Sequence, residues 1–169
     1  MPQDVNIILD GDDWFSSRNV LSYLNQIYTN KNCLMTYGTY VYYPHGAVGV
    51  EPSEYPEDVI HNNSFRKDKW RASHLRTFKS SLLEKITDRN SQNLKAEWFK
   101  RGYDQALMLP LIPVSAKFKY LPDVCYLYNI DSSSIPSDDS NWCETAQLST
   151  ITFVSASGFV SRSKQHRAT

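Results

Sequence analysis

The sequence has no excess of charge of either sign: eighteen Lys and Arg stand against eighteen Asp and Glu over 169 residues. A chain so balanced lacks the global electrostatic footprint of a nucleic-acid or membrane-surface binder, so any basic site must be local. Long apolar runs are missing too. No stretch approaches the roughly 18 residues that a membrane helix needs. Met1-Pro2-Gln3-Asp4 has neither the basic start nor the apolar segment of a secretory signal. The expectation is a soluble, cytoplasmic chain. Cysteine is scarce: Cys33, Cys125 and Cys143 are an odd, widely spaced set without a CxxC pair. That excludes a disulfide framework and supplies no zinc or redox motif, so the three read as free thiols in a reducing compartment. No internal repeat is present. With 41% hydrophobic residues, the length suits one domain with a real core.

What is there reads as α/β. Val5-Asn6-Ile7-Ile8-Leu9 is a short apolar run fit for a buried, central strand, and Asp10-Gly11-Asp12-Asp13 follows it at once. Ser16 or Ser17 can cap a helix whose Val20, Leu21, Leu24, Ile27 and Tyr28 share one face. Residues 33–43 are rich in β-formers and broken by Gly38, which predicts a bent strand. Residues 44–56 read as loop. Between Ser64 and Lys79, Arg66, Lys67, Lys69, Arg71, Arg76 and Lys79 face a single acid, Asp68. The spacing of Leu75, Phe78, Leu82 and Ile86 predicts a helix there. Residues 104–109 predict a short helix stopped by Pro110 and Pro113, and residues 118–121 and 124–128 predict strand pieces on either side of Pro122. Residues 131–169 hold ten Ser and four Thr; they read as a tail with little packed structure before a β-like run at 151–154.

Carboxylates at the end of a buried strand are costly unless neutralised, and the Asp-x-Asp spacing lets two side chains share one hard divalent cation. The same residues serve equally well as an Asx turn and helix cap. An EF-hand is disfavoured, because the loop lacks that motif's spacing and distal Glu.

Ile8-Leu9-Asp10-Gly11-Asp12-Asp13-Trp14 resembles the DxD segment of GT-A fold glycosyltransferases of the family-two kind. Further segments fall in the order and spacing of one branch of that family, which includes glycosyltransferases of large DNA viruses infecting algae. They are Tyr37-Gly38-Thr39-Tyr40, the stretch from Arg71 to Lys79, Tyr103 to Pro110, and Asp123 to Asn129. The resemblance covers roughly residues 5–130, and its specificity lies in the ordered set. It implies a GT-A-like, Rossmann-like mixed sheet flanked by helices, over residues 1–130, with residues 131–169 as the tail.

The resemblance also implies roles. Asp10, Asp12 and Asp13 would hold Mn or Mg on the diphosphate of a nucleotide sugar, most simply a UDP-sugar, with Asp10 near the ribose and Gly11 in the turn. In inverting members a carboxylate some ninety residues downstream deprotonates the acceptor hydroxyl; Asp104, 92 residues beyond Asp12, is the candidate base. By its own position Asp104 is equally a first-turn carboxylate favoured by a helix dipole. Arg71, His74 and Arg76 would contact the diphosphate, where Arg offers paired donors; the alternatives are a solvated face and an ordinary hydrogen-bonding His. Trp98 and Phe99 would form an apolar platform for a glycan or protein acceptor, with core packing as the alternative. Tyr37, Tyr40, Tyr42 and Tyr43 read as strand packing. Two departures stand out. Only nine residues precede Asp10, so the first strand-helix units of such a domain are expected to be missing, with a partner chain able to complete the sheet. Leu111-Ile112-Pro113-Val114 also lacks the acidic residue that relatives carry. An inactive glycan- or protein-binding module is the alternative reading, and a third takes Arg66–Lys79 with Trp70 and Phe78 as a nucleic-acid contact, against which stand the zero net charge and the lack of a recognised nucleic-acid module.

Overall fold

Alternation of apolar side chains along short strands produces a mixed sheet with a core on each face. The computed structural model describes residues 4–30, 32–87 and 102–130. In chain order the elements are β1 (Val5–Ile8), β2 (Trp14–Phe15), α1 (Val20–Asn30), β3 (Met35–Tyr43), α2 (Glu57–His61), β4 (Arg76–Lys79), a 3-10 turn (Ser80–Lys85), α3 (Tyr103–Ser115) and β5 (Phe118–Asn129). The five strands lie in the order β1-β4-β3-β5-β2. The β3–β5 pair is parallel and the other three pairs are antiparallel. Val20, Leu24, Ile27 and Tyr28 of α1 pack on one face with Val5, Ile7, Tyr40, Leu121 and Tyr126. Met108, Leu111 and Ile112 of α3 pack on the other with Ile8, Met35, Tyr37 and Phe78. The α/β class and the helical face of α1 follow the sequence pattern.

Four expectations are corrected. First, β1 is buried but not central: among the described residues its only strand partner is β4, so it forms an edge of the sheet. Second, the apolar spacing through Leu75 and Ile86 does not make one helix: Arg76–Lys79 is strand β4, and only Ser80–Lys85 after it is helical, as a 3-10 helix. Phe78 sits opposite both Asn6 of β1 and Met35 of β3. Paired along both edges, the segment also lies between the two cores, with Leu75 in one and Phe78 in the other, and burial on both faces imitates a helical spacing in sequence. Third, α3 runs through Pro110 and Pro113 to Ser115. Each interior proline removes a hydrogen-bond donor and costs about 3 kcal/mol; burial of Met108, Pro110, Leu111 and Ile112 opposes that at about 1.5–3 kcal/mol per large apolar side chain. Fourth, residues 118–129 are one strand. Gly38 pairs with Leu121 and Thr39 with Val124, so Pro122, which has no N–H to offer the ladder, falls in an unpaired bulge.

Gly38 shapes the entry to β4. A Cβ there would lie 3.3 Å from the Leu75 amide nitrogen and 3.4 Å from the His74 carbonyl, so the absence of a side chain lets the 73–75 backbone cross β3 closely and deliver His74 and Arg76. Cys33 and Cys125 are buried free thiols. Cys143, the 131–169 tail and the run at 151–154 lie outside the described residues.

Candidate functional site

The acidic turn forms where β1 ends. The Asp13 amide donates to the Asp10 carbonyl at 3.1 Å, closing a turn over Gly11 and Asp12, both exposed. Asp13 points inward. Its Oδ2 accepts from the Tyr126 hydroxyl at 2.5 Å and its Oδ1 from the Asn129 amide at 2.7 Å. The Tyr126 hydroxyl in turn accepts from the Asp10 amide at 3.2 Å. Asp13 therefore ties the turn to β5.

Arg76 is the hub of the site. Its register opposite Ile8 places it beside the turn, and its side chain is only 1% exposed. Nη2 lies 3.6 Å from Asp10 Oδ2, and Nη1 lies 3.2 Å from Oδ2 of Asp104, which stands in the first turn of α3. Two carboxylates far apart in sequence thus meet on one guanidinium. Nη2 also donates to His74 Nδ1 at 3.1 Å. Arginine has no acceptor, so Nδ1 carries no proton and the imidazole is the Nε2–H tautomer. The His74 ring stacks on Tyr126 at 4.5 Å and meets Tyr40 and Tyr128 edge-on at 5.5 and 5.4 Å. Two polar atoms here are buried without a partner among the described residues, Oδ1 of Asp10 and Nε of Arg76. An orphaned acceptor and an orphaned donor at one place cost about 1–3 kcal/mol each and mark a position suited to a polar ligand.

Burial drives the proton affinities. It raises the Asp10 carboxyl above its ordinary range against the opposing pull of Arg76, with Asp12 and Asp104 adding to the rise. Asp13 is pushed up to about 6 by burial, although the bonds from Tyr126 and Asn129 favour its charged form. Burial, and then the Arg76 charge, hold His74 well below its usual value; it stays neutral and can accept from Arg76. Burial and the neighbouring carboxylates keep the Tyr126 phenol protonated.

Of the residues singled out by sequence, Asp10, Gly11, Asp12, Asp13, His74, Arg76 and Asp104 belong to this cluster. Arg71 does not. It is held by Asp68 at 2.5 Å and Ser53 at 2.9 Å, with its guanidinium 5.9 Å from the centre of the Tyr55 ring. Neither basic residue is a solvated helix side chain: Arg76 is a buried strand residue and Arg71 fastens a loop. Trp98 and Phe99 lie outside the described residues. Tyr37 and Tyr40 are buried strand residues, but Tyr43 is 48% exposed. Tyr126 and Asn129, the clamp on Asp13, carried no assigned role in the sequence. Tyr126 lies in a strand-like apolar run, Val124-Cys125-Tyr126-Leu127-Tyr128, that gave no sign of its hydroxyl's partner, and Asn129 acts through its main-chain amide, which no side-chain pattern announces. Among the described residues no three of His, Cys, Asp and Glu converge as a cation cage, and no helix is long and apolar enough to cross a membrane.

Comparison with protein-family models and with curated proteins finds no match to the chain.

Proposed function

We propose that the chain is a glycosyltransferase of GT-A type that moves a sugar from a nucleoside-diphosphate donor, most simply a UDP-sugar, to an acceptor hydroxyl with inversion. The observation that carries this reading is the meeting of Asp10 and Asp104 on Arg76. Such a reaction needs a donor-binding carboxylate turn and a separate carboxylate base in one cleft. Asp104, with its side chain 28% exposed, can take the proton of the acceptor hydroxyl. The freed oxygen then attacks the anomeric carbon while the bond from that carbon to the diphosphate oxygen breaks, and the nucleoside diphosphate leaves with the electron pair. Arg76 holds Asp104 in position and offsets the crowding of carboxylates, while neutral His74 fixes the Arg76 fork.

The donor set suits Mn or Mg without a protein cage. Hard cations at phosphate sites are held by one or two carboxylates plus the substrate's phosphates. Exposed Asp12 and the unpartnered Oδ1 of Asp10 are the oxygens available; both oxygens of Asp13 are committed to β5, so Asp13 is assigned to holding the turn. A cation bound there would offset charge on the departing diphosphate.

Calorimetric titration with UDP and a panel of nucleoside-diphosphate sugars, with and without manganese, tests the donor site. Binding should require the metal and vanish in Asp12→Ala. Turnover should fall by roughly 10²–10⁴ in Asp104→Asn, the range for loss of a general base, and NMR of the product should show the inverted anomer. Metal-independent binding, or retention, would refute the assignment. One observation favours a second reading, an inactive module completed by a partner chain: β1 ends the sheet with no strand beyond it among the described residues, and such an edge accepts a strand. Folded protein that ignores every sugar nucleotide would select it.

A further inference from the structure

A cavity of about 450 Å³ lies between the loop after α2, the end of the 3-10 helix and the second half of α3. The loop is held from within. Phe65, 5% exposed, meets the Tyr55 ring edge-on at 5.1 Å and Phe118 at 5.9 Å. The Ser64 amide donates to the Val59 carbonyl at 3.0 Å and the Lys67 amide to the Ser64 carbonyl at 2.9 Å. With Phe65 anchored in the core, Arg66 and Lys67 are left exposed at the cavity, and Lys85 joins them from the last turn of the 3-10 helix. Ile86, Leu109, Pro110, Pro113 and Val114 supply an apolar wall. No carboxylate lines the cavity, and Asp68, the acid next to Lys67 in sequence, is committed to Arg71.

We infer that this cavity binds a phosphate monoester whose organic group is apolar. Three cations with no acid among them repel one another, and an anion placed between them relieves that repulsion. A phosphate monoester carries about −1.5 to −2 charge at neutral pH and three strong acceptor oxygens. That matches the donors of Arg66, Lys67 and Lys85, with the Ser64 hydroxyl and the Asn63 amide beside them; a carboxylate brings one charge and two oxygens. The volume falls within the roughly 300–1,000 Å³ of small-molecule sites, far more than a phosphate ion alone fills. The apolar wall stabilises an ester group that leaves water on binding and asks for no hydrogen bond. The site stands apart from the glycosyl-transfer reading. Asp104 lies in the first turn of α3 and Pro113 near its end, about 14 Å away along the axis at 1.5 Å per residue. One end of the helix brings a carboxylate to Arg76, and the other borders three cations that have no ion pair among the described residues.

The test uses the full chain, isotope-labelled and in metal-free buffer, titrated with phenyl phosphate and with hexyl phosphate while the backbone amides are followed by NMR. At least one ester should shift the amides of Phe65, Arg66, Lys67, Ile86 and Val114 and leave those of residues 10–13 in place. Inorganic phosphate, phenol and hexanol each carry half of the recognised chemistry and should bind roughly tenfold more weakly or worse. Arg66→Gln and Lys85→Gln should each weaken the ester roughly tenfold, the scale of one charge-assisted hydrogen bond, and added NaCl should weaken it as well. Both positions are exposed, so circular dichroism should report an unchanged fold. Asp12→Ala should bind the ester as the parent does. The inference is overturned if neither ester moves the cavity amides, if inorganic phosphate binds as tightly as the esters, or if the glutamine variants bind like the parent. Shifts confined to residues 10–13, or loss of binding in Asp12→Ala, would place the ester at the acidic turn and overturn it equally.

Discussion

Removing the Arg76 charge is the sharpest perturbation of this fold. The guanidinium, 1% exposed, has one carboxylate oxygen at 3.6 Å and another at 3.2 Å. At an effective dielectric of about 20, each contact is a gross attraction of about 4–5 kcal/mol, and most of that offsets the desolvation of the three groups. Arg76→Met does not recover the desolvation term, because Asp10 and Asp104 stay where they are. The expected loss at neutral pH is about 3–5 kcal/mol, the cost of leaving a buried charge without its partner. Asp10, already raised by burial and lowered by Arg76, rises further in the variant. A carboxyl whose folded pKa lies above its unfolded value is stabilising when protonated, so the deficit must shrink as the pH falls and Asp10 takes up a proton. Urea unfolding at several pH values measures both effects. Arg76→Lys should be milder, since a single ammonium keeps the charge but cannot fork to both carboxylates; it serves if the methionine variant does not fold. Arg76→Met combined with Asp10→Asn and Asp104→Asn should regain most of the loss. An Arg76→Met variant within about 1 kcal/mol of the parent, or one whose deficit is independent of pH, would refute the account of Arg76 as the neutralising hub.

The neighbours of Arg76 carry expectations of their own. Asp13, pushed up from 3.8 to about 6, holds a proton in the folded chain that the unfolded chain has already released; its contribution is therefore present at acid pH and lost as pH rises through about 6. Asp13→Asn should flatten that part of the stability profile in urea unfolding, leaving the acid-side gain of Asp10. His74 works in the opposite sense: neutral in the fold, it costs stability as pH falls and the unfolded imidazole charges. His74→Gln, which keeps an acceptor for Arg76, should remove that loss, and an unchanged pH profile would contradict the buried neutral imidazole. A Cβ on Gly49 would lie 2.3 Å from the Tyr40 ring, so Gly49→Ala must displace Tyr40. It should lower stability by about 1–3 kcal/mol; a thermal melt indistinguishable from the parent would show that the ring yields freely.

How much of this was legible in the sequence depended on the range of the interaction. The period of Val20, Leu24, Ile27 and Tyr28, the strand before Asp10 and the break at Gly38 are local signals, set by side-chain periodicity and backbone freedom, and they appear where expected. The acidic turn was legible as a turn because Asp, Gly and Asp next to an apolar run can do little else. Pairing partners were not. The 76–79 segment became a strand because β1 and β3 each offered it an edge, and α3 outlasted two prolines because the sheet had a face for it to cover. The fate of the basic residues was likewise tertiary. Arg71 and Arg76 look alike in sequence, yet one fastens a surface loop to Asp68 and the other is drawn inside, because only at 76 does the register with Ile8 set a guanidinium between two carboxylates. Composition and spacing determined which groups were available; the long-range register, which no local pattern encodes, decided which of them meet.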